Sequence, residues 1–195
     1  MIQRANPGWK RRSSARRLRE SVSRMTTQRA EPGLNADERD MLTGWLDYHR
    51  ATLVWKCEGL TDEQLRERSV PPSGLCLIGL VRHLTECERG WFRKVLLGED
   101  LPGLYWTPED LDGDFNNVDS ADTASVFAAF ERECAAAREA VASVPDLDTV
   151  GKKPSDSTGE YFSLRWILTH MIEEYARHNG HADLLRERID GATGD

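Results

Sequence analysis

The chain has 195 residues, of which 39% are hydrophobic and 30% are charged, and its formal net charge at pH 7 is −7. This length is sufficient for one domain with a hydrophobic core, and the composition is typical of a globular protein. The longest apolar run covers residues 75–81. It is far shorter than the roughly 20 residues that span a bilayer, so a membrane is not an expected partner.

Basic side chains are concentrated at the beginning of the chain. Residues 1–24 contain eight basic residues and one acidic residue, whereas residues 25–195 contain 18 basic and 32 acidic residues. Since phosphate groups repel such an acidic body, nucleic acid is not an expected partner either.

Residues 1–33 have too few apolar side chains to form a core. We expect a disordered basic extension here, with a nucleic-acid or membrane-surface arm and an ordered helix as the alternatives. No apolar segment of a secretory leader follows the initial charges, so a cytoplasmic protein is expected.

The spacing of apolar residues predicts four helices, at about 35–58, 74–97, 121–144 and 163–189. Asn35 is the expected N-cap of the first helix. Strand patterns are nearly absent. We therefore expect an all-α four-helix bundle in a domain of residues 34–190, followed by a tail of residues 191–195.

Two connections between these helices are informative. Thr61 is expected to begin a short helical turn after the first helix. The connection between the second and third helices, residues 98–120, is long and rich in proline, glycine and aspartate, and it contains Tyr105, Trp106 and Phe115. A long connection with aromatic side chains favours a loop packed over a site.

The four cysteines have no CxxC spacing, which argues against a disulfide framework and against a cysteine-based zinc site. We expect all four to be small buried apolar residues: Cys57, Cys76, Cys87 and Cys134. A nucleophilic pair of Cys87 and His83, four residues apart, is the less favoured interpretation.

The fourth helix carries polar side chains beside its apolar stripe. His178 lies within the stripe, and Glu174, His181 and His170 lie to one side of it at helical spacing. Burying a carboxylate is costly unless it is paired, hydrogen-bonded or bound to a metal, and the sequence offers few inward-facing cations to pair with it. These residues are therefore either ordinary polar groups at the edge of a core or metal ligands.

The remaining histidines also fall on helices, near inward stripes. His83 lies beside the apolar stripe of the second helix and can face the polar residues of the fourth helix across the bundle interior. His49 lies on the inward stripe of the first helix. This distribution raises the expectation of a metal site.

Two motifs carry a family resemblance. The segment LxGLVRHLxxxERxWF begins at residue 77, and WxLxHMIxExARHxGHxDxLRE begins at residue 166. With the order of the helices and the long aromatic loop, they resemble the DinB/YfiT-like superfamily, and more narrowly its actinobacterial DinB-like branch. The resemblance covers residues 34–190 and does not include residues 1–33.

The resemblance implies a four-helix bundle, often homodimeric, that binds a divalent metal. One ligand is a histidine of the second helix and two are residues four apart on the fourth, which places them at His83, Glu174 and His178. A glutamate at the first of the two fourth-helix positions resembles the ligand set of the mycothiol-dependent maleylpyruvate isomerase. His181 and His170 remain alternatives to Glu174 as the third ligand. Zinc is the expected metal, and nickel, iron and manganese suit the same ligands.

The function that the resemblance implies is that of a metal-dependent enzyme acting with a low-molecular-weight thiol such as mycothiol, in S-transfer or in isomerisation. His181 and His49 are the catalytic candidates, as groups that orient a ligand or move a proton. Residues 98–115 would form part of the substrate wall. The alternative is a non-catalytic, stress-related or interaction protein that keeps the bundle and the metal site.

Three arginines on the second and fourth helices are candidates for binding an acidic thiol cosubstrate. A solvated helix face is the favoured interpretation of all three: Arg82, Arg186 and Arg188.

Overall fold

The computed structural model describes residues 29–194, and this part of the chain is mainly helical. Its elements, in chain order, are α1 (Glu38–Cys57), α2 (Asp62–Arg66), α3 (Leu77–Glu88), a π-helical segment (Arg89–Leu96), α4 (Gly113–Asn116), α5 (Thr123–Ser143), β1 (Val150–Pro154), β2 (Tyr161–Ser163) and α6 (Leu164–Asp190). The mainly helical class is confirmed, and the long helices occupy the four predicted segments.

The first helix begins later than the sequence suggests. Asp37 is the N-cap of α1, and its carboxylate accepts a hydrogen bond from the Asp40 amide at 2.9 Å. The prediction that Asn35 is the N-cap is therefore wrong. Asn35 lies instead in a turn that is closed by a hydrogen bond from the Ala36 amide to the Gly33 carbonyl oxygen.

Two other helix starts follow the expected chemistry of capping. Thr61 caps α2 in a capping box with Gln64, as predicted. Ser163 caps α6, and its hydroxyl accepts a hydrogen bond from the Trp166 amide at 3.2 Å. The start of α6 fixes the position of the histidines and the glutamate further along that helix.

The second predicted helix is not α-helical to its end. From Arg89 to Leu96 the backbone is π-helical, a geometry with a wider turn that the apolar spacing did not predict. Within this segment Arg89 and Arg93 both pair with Glu133 of α5, at 2.8 and 3.3 Å. The segment thereby ties the second half of the predicted helix to α5.

A small antiparallel sheet connects α5 to α6, although the sequence shows almost no strand pattern. Val150 of β1 lies opposite Ser163 of β2, and Pro154 lies opposite Tyr161. β1 also packs against the π-helical segment, where a Cβ on Gly151 would lie 2.7 Å from a carbonyl oxygen of that segment. Contacts with this segment, rather than a local apolar pattern, account for the strands.

The hydrophobic core lies between the long helices. α6 packs most extensively on α1 and also contacts α3, and α3 contacts α5. Burial of large side chains is the dominant favourable contribution to such a fold. The largest fully buried side chains include Leu46, Leu53, Leu80, Leu84, Phe92, Phe130, Leu168 and Tyr175.

A buried polar cluster crosses this core. Glu88 of α3 is 0% exposed and accepts hydrogen bonds from Arg50 Nε and Nη2 at 2.7 and 2.6 Å, and from the Tyr175 hydroxyl at 2.7 Å. It thus joins α1, α3 and α6. The expectation of few inward-facing cations is wrong, since four are buried in the described chain: Arg50, Lys56, Arg82 and Arg89.

In the part of the chain that the structure describes, no helix has the length and apolar character needed to cross a bilayer. The prediction for residues 1–33 falls largely outside the described residues. Arg29, which is described, donates a hydrogen bond to the Tyr48 hydroxyl at 2.9 Å. The division into residues 1–33, 34–190 and 191–195 stays a prediction.

Candidate metal centre

Three side chains predicted as ligands lie together between α3 and α6. His83 comes from α3, and Glu174 and His178 come from consecutive turns of α6. One ligand atom from each lies within 4.8 Å of the other two. We call these three residues the trio. Their proximity depends on the packing of α6 against α3, since no local segment of the chain contains all three.

His83 is held by the loop that follows the π-helical segment. Its Nδ1 lies 2.8 Å from Asp114 Oδ2, and its ring stacks on Phe115 with the ring centroids 5.5 Å apart. Burial lowers the pKa of His83, but the hydrogen bonds to Asp114 and Cys87 outweigh burial and raise this pKa to about 10. His83 is therefore protonated at pH 7 in the metal-free protein, and its Nε2 lies 3.6 Å from Cys87 Sγ. Since Nδ1 is bonded to a carboxylate, a metal would have to displace the proton of Nε2.

Glu174 and His178 face each other one helical turn apart. Glu174 Oε2 lies 3.4 Å from His178 Nε2, and Glu174 Oε1 accepts a hydrogen bond from Arg177 at 3.2 Å. The side chains of Glu174 and His178 are 14% and 11% exposed. Because Arg177 occupies one carboxylate oxygen, the other is directed toward the histidine.

His181 contacts the far side of the His178 ring. The two Nδ1 atoms are 3.3 Å apart, so one of these nitrogens must carry a proton and the other accept it. Burial, His83 and His181 together lower the pKa of His178 to about 4. His178 is therefore neutral at pH 7, which is the form in which histidine binds a metal.

His170 lies one turn before Glu174 but in an aromatic environment. Its ring packs against Trp91 and Trp166, with centroid distances of 4.7 and 4.9 Å, and its Nε2 is 3.9 Å from Glu174 Oε1. His170 and Glu174 also form a second close group with Glu173. Arg177 pairs with both carboxylates of that group, so one positive charge partly compensates their two negative charges.

His49, the other catalytic candidate, is separate from the trio. His49 contacts Asn179, whose Nδ2 lies 3.4 Å from His49 Nδ1 and donates to the His49 carbonyl oxygen at 3.1 Å. Burial lowers the pKa of His49. The structure thus brings His181 into contact with the trio. His49 of α1 instead contacts Asn179, the residue that follows His178 in α6.

The donors of the trio are of the kinds that bind a divalent metal ion, and one pair of them has the separation expected for a tetrahedral ion. Two ligands of a tetrahedral ion at about 2.1 Å lie roughly 3.4 Å apart, and this is the separation of Glu174 Oε2 and His178 Nε2. Both histidines also have their other ring nitrogen next to a partner, Asp114 for His83 and His181 for His178. Metal-binding histidines are commonly oriented in this way.

Asp114 is the residue of this centre that sequence reasoning missed. The loop contains Asp110, Asp112 and Asp114, and no spacing in the sequence distinguishes the third from the other two. Asp114 reaches His83 because α4 forms a single turn over α3. Phe115, from the loop expected to pack over a site, is in contact with His83.

The prediction that the cysteines are buried is confirmed at three of the four positions. Cys57, Cys76 and Cys134 are buried, but Cys87 is only partly buried. Its Sγ lies 3.6 Å from His83 Nε2. The prediction of a buried residue is wrong for Cys87, because it lies where α3 borders the trio.

The interpretation of the three arginines as a solvated helix face is wrong for Arg82. Arg82 is 5% exposed and donates to two loop carbonyl oxygens. Arg186 is partly buried and donates to the carbonyl oxygens of Lys56 and Glu58 at the end of α1. Arg188 is exposed, as expected.

Comparison with known proteins identifies a family. A family model described as mycothiol-S-transferase matches residues 41–191, which include the trio and most of the described chain. It is a DinB/YfiT-like family, so the resemblance seen in the two sequence motifs is confirmed. No curated protein matches the chain.

Proposed function

The chain belongs to the mycothiol-S-transferase family, and from this premise we propose that it is a metal-dependent thiol S-transferase. In this proposal His83, Glu174 and His178 bind one divalent ion, with zinc as the first choice. The thiol is mycothiol or a similar low-molecular-weight thiol. S-transfer takes precedence over isomerisation because the matching family is described by that reaction.

The observation that supports the metal centre is the convergence of the trio. Its ligand atoms lie within 4.8 Å of one another although His83 of one helix and Glu174 of the other are 91 residues apart in the chain. Two nitrogens and one carboxylate leave a coordination position open, which is typical of catalytic rather than structural zinc sites.

His83, Glu174 and His178 would hold the divalent ion, and an ion bound there would lower the pKa of a thiol that joins it and supply a thiolate at neutral pH. The residues around it have supporting roles. Asp114 keeps His83 oriented through Nδ1, His181 does the same for His178, and Arg177 holds one oxygen of Glu174 so that the other faces inward. These contacts pre-organise the centre.

In the transfer step the thiol loses its proton to water, and its sulfur forms a bond to an electrophilic carbon. In a displacement, the leaving group departs from that carbon with the electron pair of the broken bond. In an addition, no group leaves and the electron pair of the broken π bond stays on the substrate. Phe115 covers one side of His83, and residues 98–115 are the proposed wall of the substrate site.

The proposal also includes the finer features of the family resemblance. These are a four-helix bundle of the DinB type in residues 34–190, assembly as a homodimer and a cytoplasmic location. The arrangement of α1, α3, α5 and α6 supports the first of these. Light scattering coupled to size-exclusion chromatography tests the second.

Elemental analysis of the purified protein tests the metal centre. We expect about one zinc, nickel or iron ion per chain in the wild type and a loss of nearly all of it in His178→Ala. His170→Ala is the matched control, since it removes a histidine from the same helix that lies outside the trio. It should retain the ion.

Consumption of mycothiol with an electrophile then tests the reaction. We expect the metal-loaded wild type to accelerate loss of the thiol and His178→Ala to show no acceleration. A wild type that binds no metal even after reconstitution would contradict the metal centre. A metal-binding protein without thiol turnover would instead favour the non-catalytic stress-related or interaction protein.

A further inference from the structure

We infer that Arg82 is a positioning residue of the metal centre, which holds the loop turn carrying Asp114 and thereby fixes the ring of His83. The inference rests on the proposed function, because it concerns the same centre. It assigns a specific role to a side chain that contacts none of the three proposed ligands.

Arg82 joins α3 to both ends of α4. Its Nη1 donates to the Asn117 carbonyl oxygen at 2.5 Å and its Nη2 donates to the Gly113 carbonyl oxygen at 2.9 Å. Asp114 lies between these two acceptors in the chain. The Arg82 guanidinium also lies over the Tyr105 ring, 4.5 Å from its centroid. A planar fork of donors suits this arrangement because it can bind two carbonyl groups at once.

The turn that Arg82 holds contacts His83 twice. Asp114 is 7% exposed and its Oδ2 lies 2.8 Å from His83 Nδ1, while its Oδ1 accepts a hydrogen bond from the Phe115 amide at 3.1 Å. Phe115 in turn stacks on the His83 ring. A displacement of the turn would therefore move both contacts that orient His83.

One face of α3 attaches this loop at several points. Gly79, Arg82, His83 and Glu86 follow the spacing of a single helix face. Glu86 accepts hydrogen bonds from the amides of Leu104 and Tyr105, each at 2.5 Å. A Cβ on Gly79 would lie 2.7 Å from the Phe115 ring, so glycine makes room for it. The helix that supplies His83 also supplies its support.

Other contacts of the turn do not replace Arg82. Asp110 accepts hydrogen bonds from the side chains of Asn116 and Asn117, at 2.8 and 2.9 Å. These bonds stabilise the loop internally but do not connect it to α3. Arg82 Nε is buried without a hydrogen-bond partner in the described residues. Burying an unpaired N–H group costs stability. The two hydrogen bonds to carbonyl oxygens are therefore the favourable contacts that offset the burial of this arginine.

Zinc affinity, measured by competition with a chromogenic chelator, tests the inference. We expect Asp114→Asn to weaken zinc binding about 10–100-fold, the usual effect of removing a partner of a metal-bound histidine. Arg82→Met should cause a loss of similar size. The zinc affinity of the double variant should lie within about twofold of that of the weaker-binding single variant, because both changes act through one contact.

Arg39→Met is the matched control. Arg39 also donates to two backbone carbonyl oxygens, those of Val141 and Val144, at 3.1 and 3.0 Å, but it contacts neither the loop nor the trio. Its zinc affinity should equal that of the wild type. A wild-type affinity in Arg82→Met, beside a loss in Asp114→Asn, would overturn the inference.

A second measurement does not depend on metal. In the metal-free protein, the Nδ1 proton of His83 should give a downfield NMR resonance that disappears in His83→Gln. We expect it to be lost or shifted in Arg82→Met and in Asp114→Asn and to be retained in Arg39→Met. Retention in Arg82→Met refutes the role of Arg82. If Arg82→Met does not fold, Arg82→Gln is judged by the same criteria, since glutamine cannot reach both carbonyl groups.

The two proposals fail in different ways. A wild type without zinc affinity would end the proposed metal centre, and the NMR resonance would still decide whether Arg82 orients His83. Zinc binding by the wild type, combined with an unchanged resonance and affinity in Arg82→Met, would end only the inference about Arg82.

Discussion

Buried charge is distributed differently from what the polar pattern of the fourth helix suggests. Glu174, the carboxylate that helical spacing places beside an apolar stripe, is 14% exposed and bonded to Arg177. Glu88 is completely buried. Its hydrogen bonds come from Arg50 and Tyr175, which lie 38 residues before and 87 residues after it. No local pattern could connect residues so distant in the chain.

Replacing Glu88 tests the importance of this buried cluster. Glu88→Gln removes the negative charge in the core and leaves the Arg50 guanidinium with only Asp47, whose side chain is 42% exposed, as its anionic partner. Breaking a buried pair in this way costs about 3–5 kcal/mol. We expect a decrease of this order in the free energy of unfolding, measured by urea denaturation.

The control for this measurement is Glu38→Gln, which breaks an exposed pair with Arg165. Exposed pairs contribute little to stability, so this variant should unfold almost like the wild type. Equal effects of the two substitutions would show that the Glu88 cluster contributes no more than a surface ion pair.

The cysteines differ in burial, and we expect them to differ in reactivity. Burial raises the pKa of the Cys57 thiol to about 12 and also raises the pKa of Cys76 and Cys134. Since the thiolate is the reactive form, these three should be inert at pH 8. We expect one thiol per native chain to react with a disulfide reagent such as DTNB, and this reaction to disappear in Cys87→Ser. All four should react after unfolding, and rapid reaction of more than one in the native protein would contradict the assignment.

At the scale of secondary structure, periodicity predicted the helices well but not their irregularities. The four long helices have apolar stripes that repeat over several turns, and these are sufficient to locate them. The π-helical segment and the two strands have no such repeat. The pairing of Arg89 and Arg93 with Glu133, and the packing of Gly151 on that segment, depend on elements that are distant in the chain.

Gly151 is expected to be intolerant of a side chain. A Cβ at this position would lie 2.7 Å from the Val95 carbonyl oxygen, and a backbone atom cannot move aside as a flexible side chain can. Gly151→Ala should therefore lower the free energy of unfolding by about 1–3 kcal/mol, the range found for overpacked sites. Thermal or urea denaturation measures this change, and wild-type stability would show that β1 moves away from the π-helical segment at little cost.

Gly180 should respond in the opposite direction. It lies inside α6 on an exposed face, and no heavy atom is within 4 Å of a Cβ added there. Alanine has a higher helix propensity than glycine by about 0.8–1.0 kcal/mol. Gly180→Ala should raise the free energy of unfolding by nearly this amount in the same denaturation experiment. A decrease would show that glycine serves a purpose at this position that the helix itself does not explain.

At the scale of the whole molecule, the sequence identified the residues of the trio but not the structure that supports it. His83, Glu174 and His178 could be selected because two motifs resemble a family with ligands at these places. Asp114, Arg82 and the buried cluster around Glu88 could not be selected in this way. Their roles arise from the path of a loop and from the packing of three helices, which a single sequence does not specify by spacing.

Zinc should stabilise the whole protein, because the trio connects α3 to α6. At free zinc about 100 times the dissociation constant, binding to the folded state alone adds about 2.7 kcal/mol. For a protein of this size this corresponds to an increase in melting temperature of roughly 5–10 °C. Scanning calorimetry with and without zinc measures the shift, and His178→Ala should show none. The same shift in both proteins would place the stabilising ion elsewhere.

The hydrogen bond between Tyr175 and Glu88 has a consequence for the choice of ion. It joins α6 to α3 at residues directly next to Glu174 on one helix and Cys87 on the other. This buried bond holds the two helices together whether or not the proposed ion is bound. If the trio binds an ion, we therefore expect ions with bonds of about 2.0–2.2 Å, such as zinc, to bind more tightly than calcium, whose bonds of about 2.3–2.6 Å and larger number of oxygen ligands would require the helices to separate.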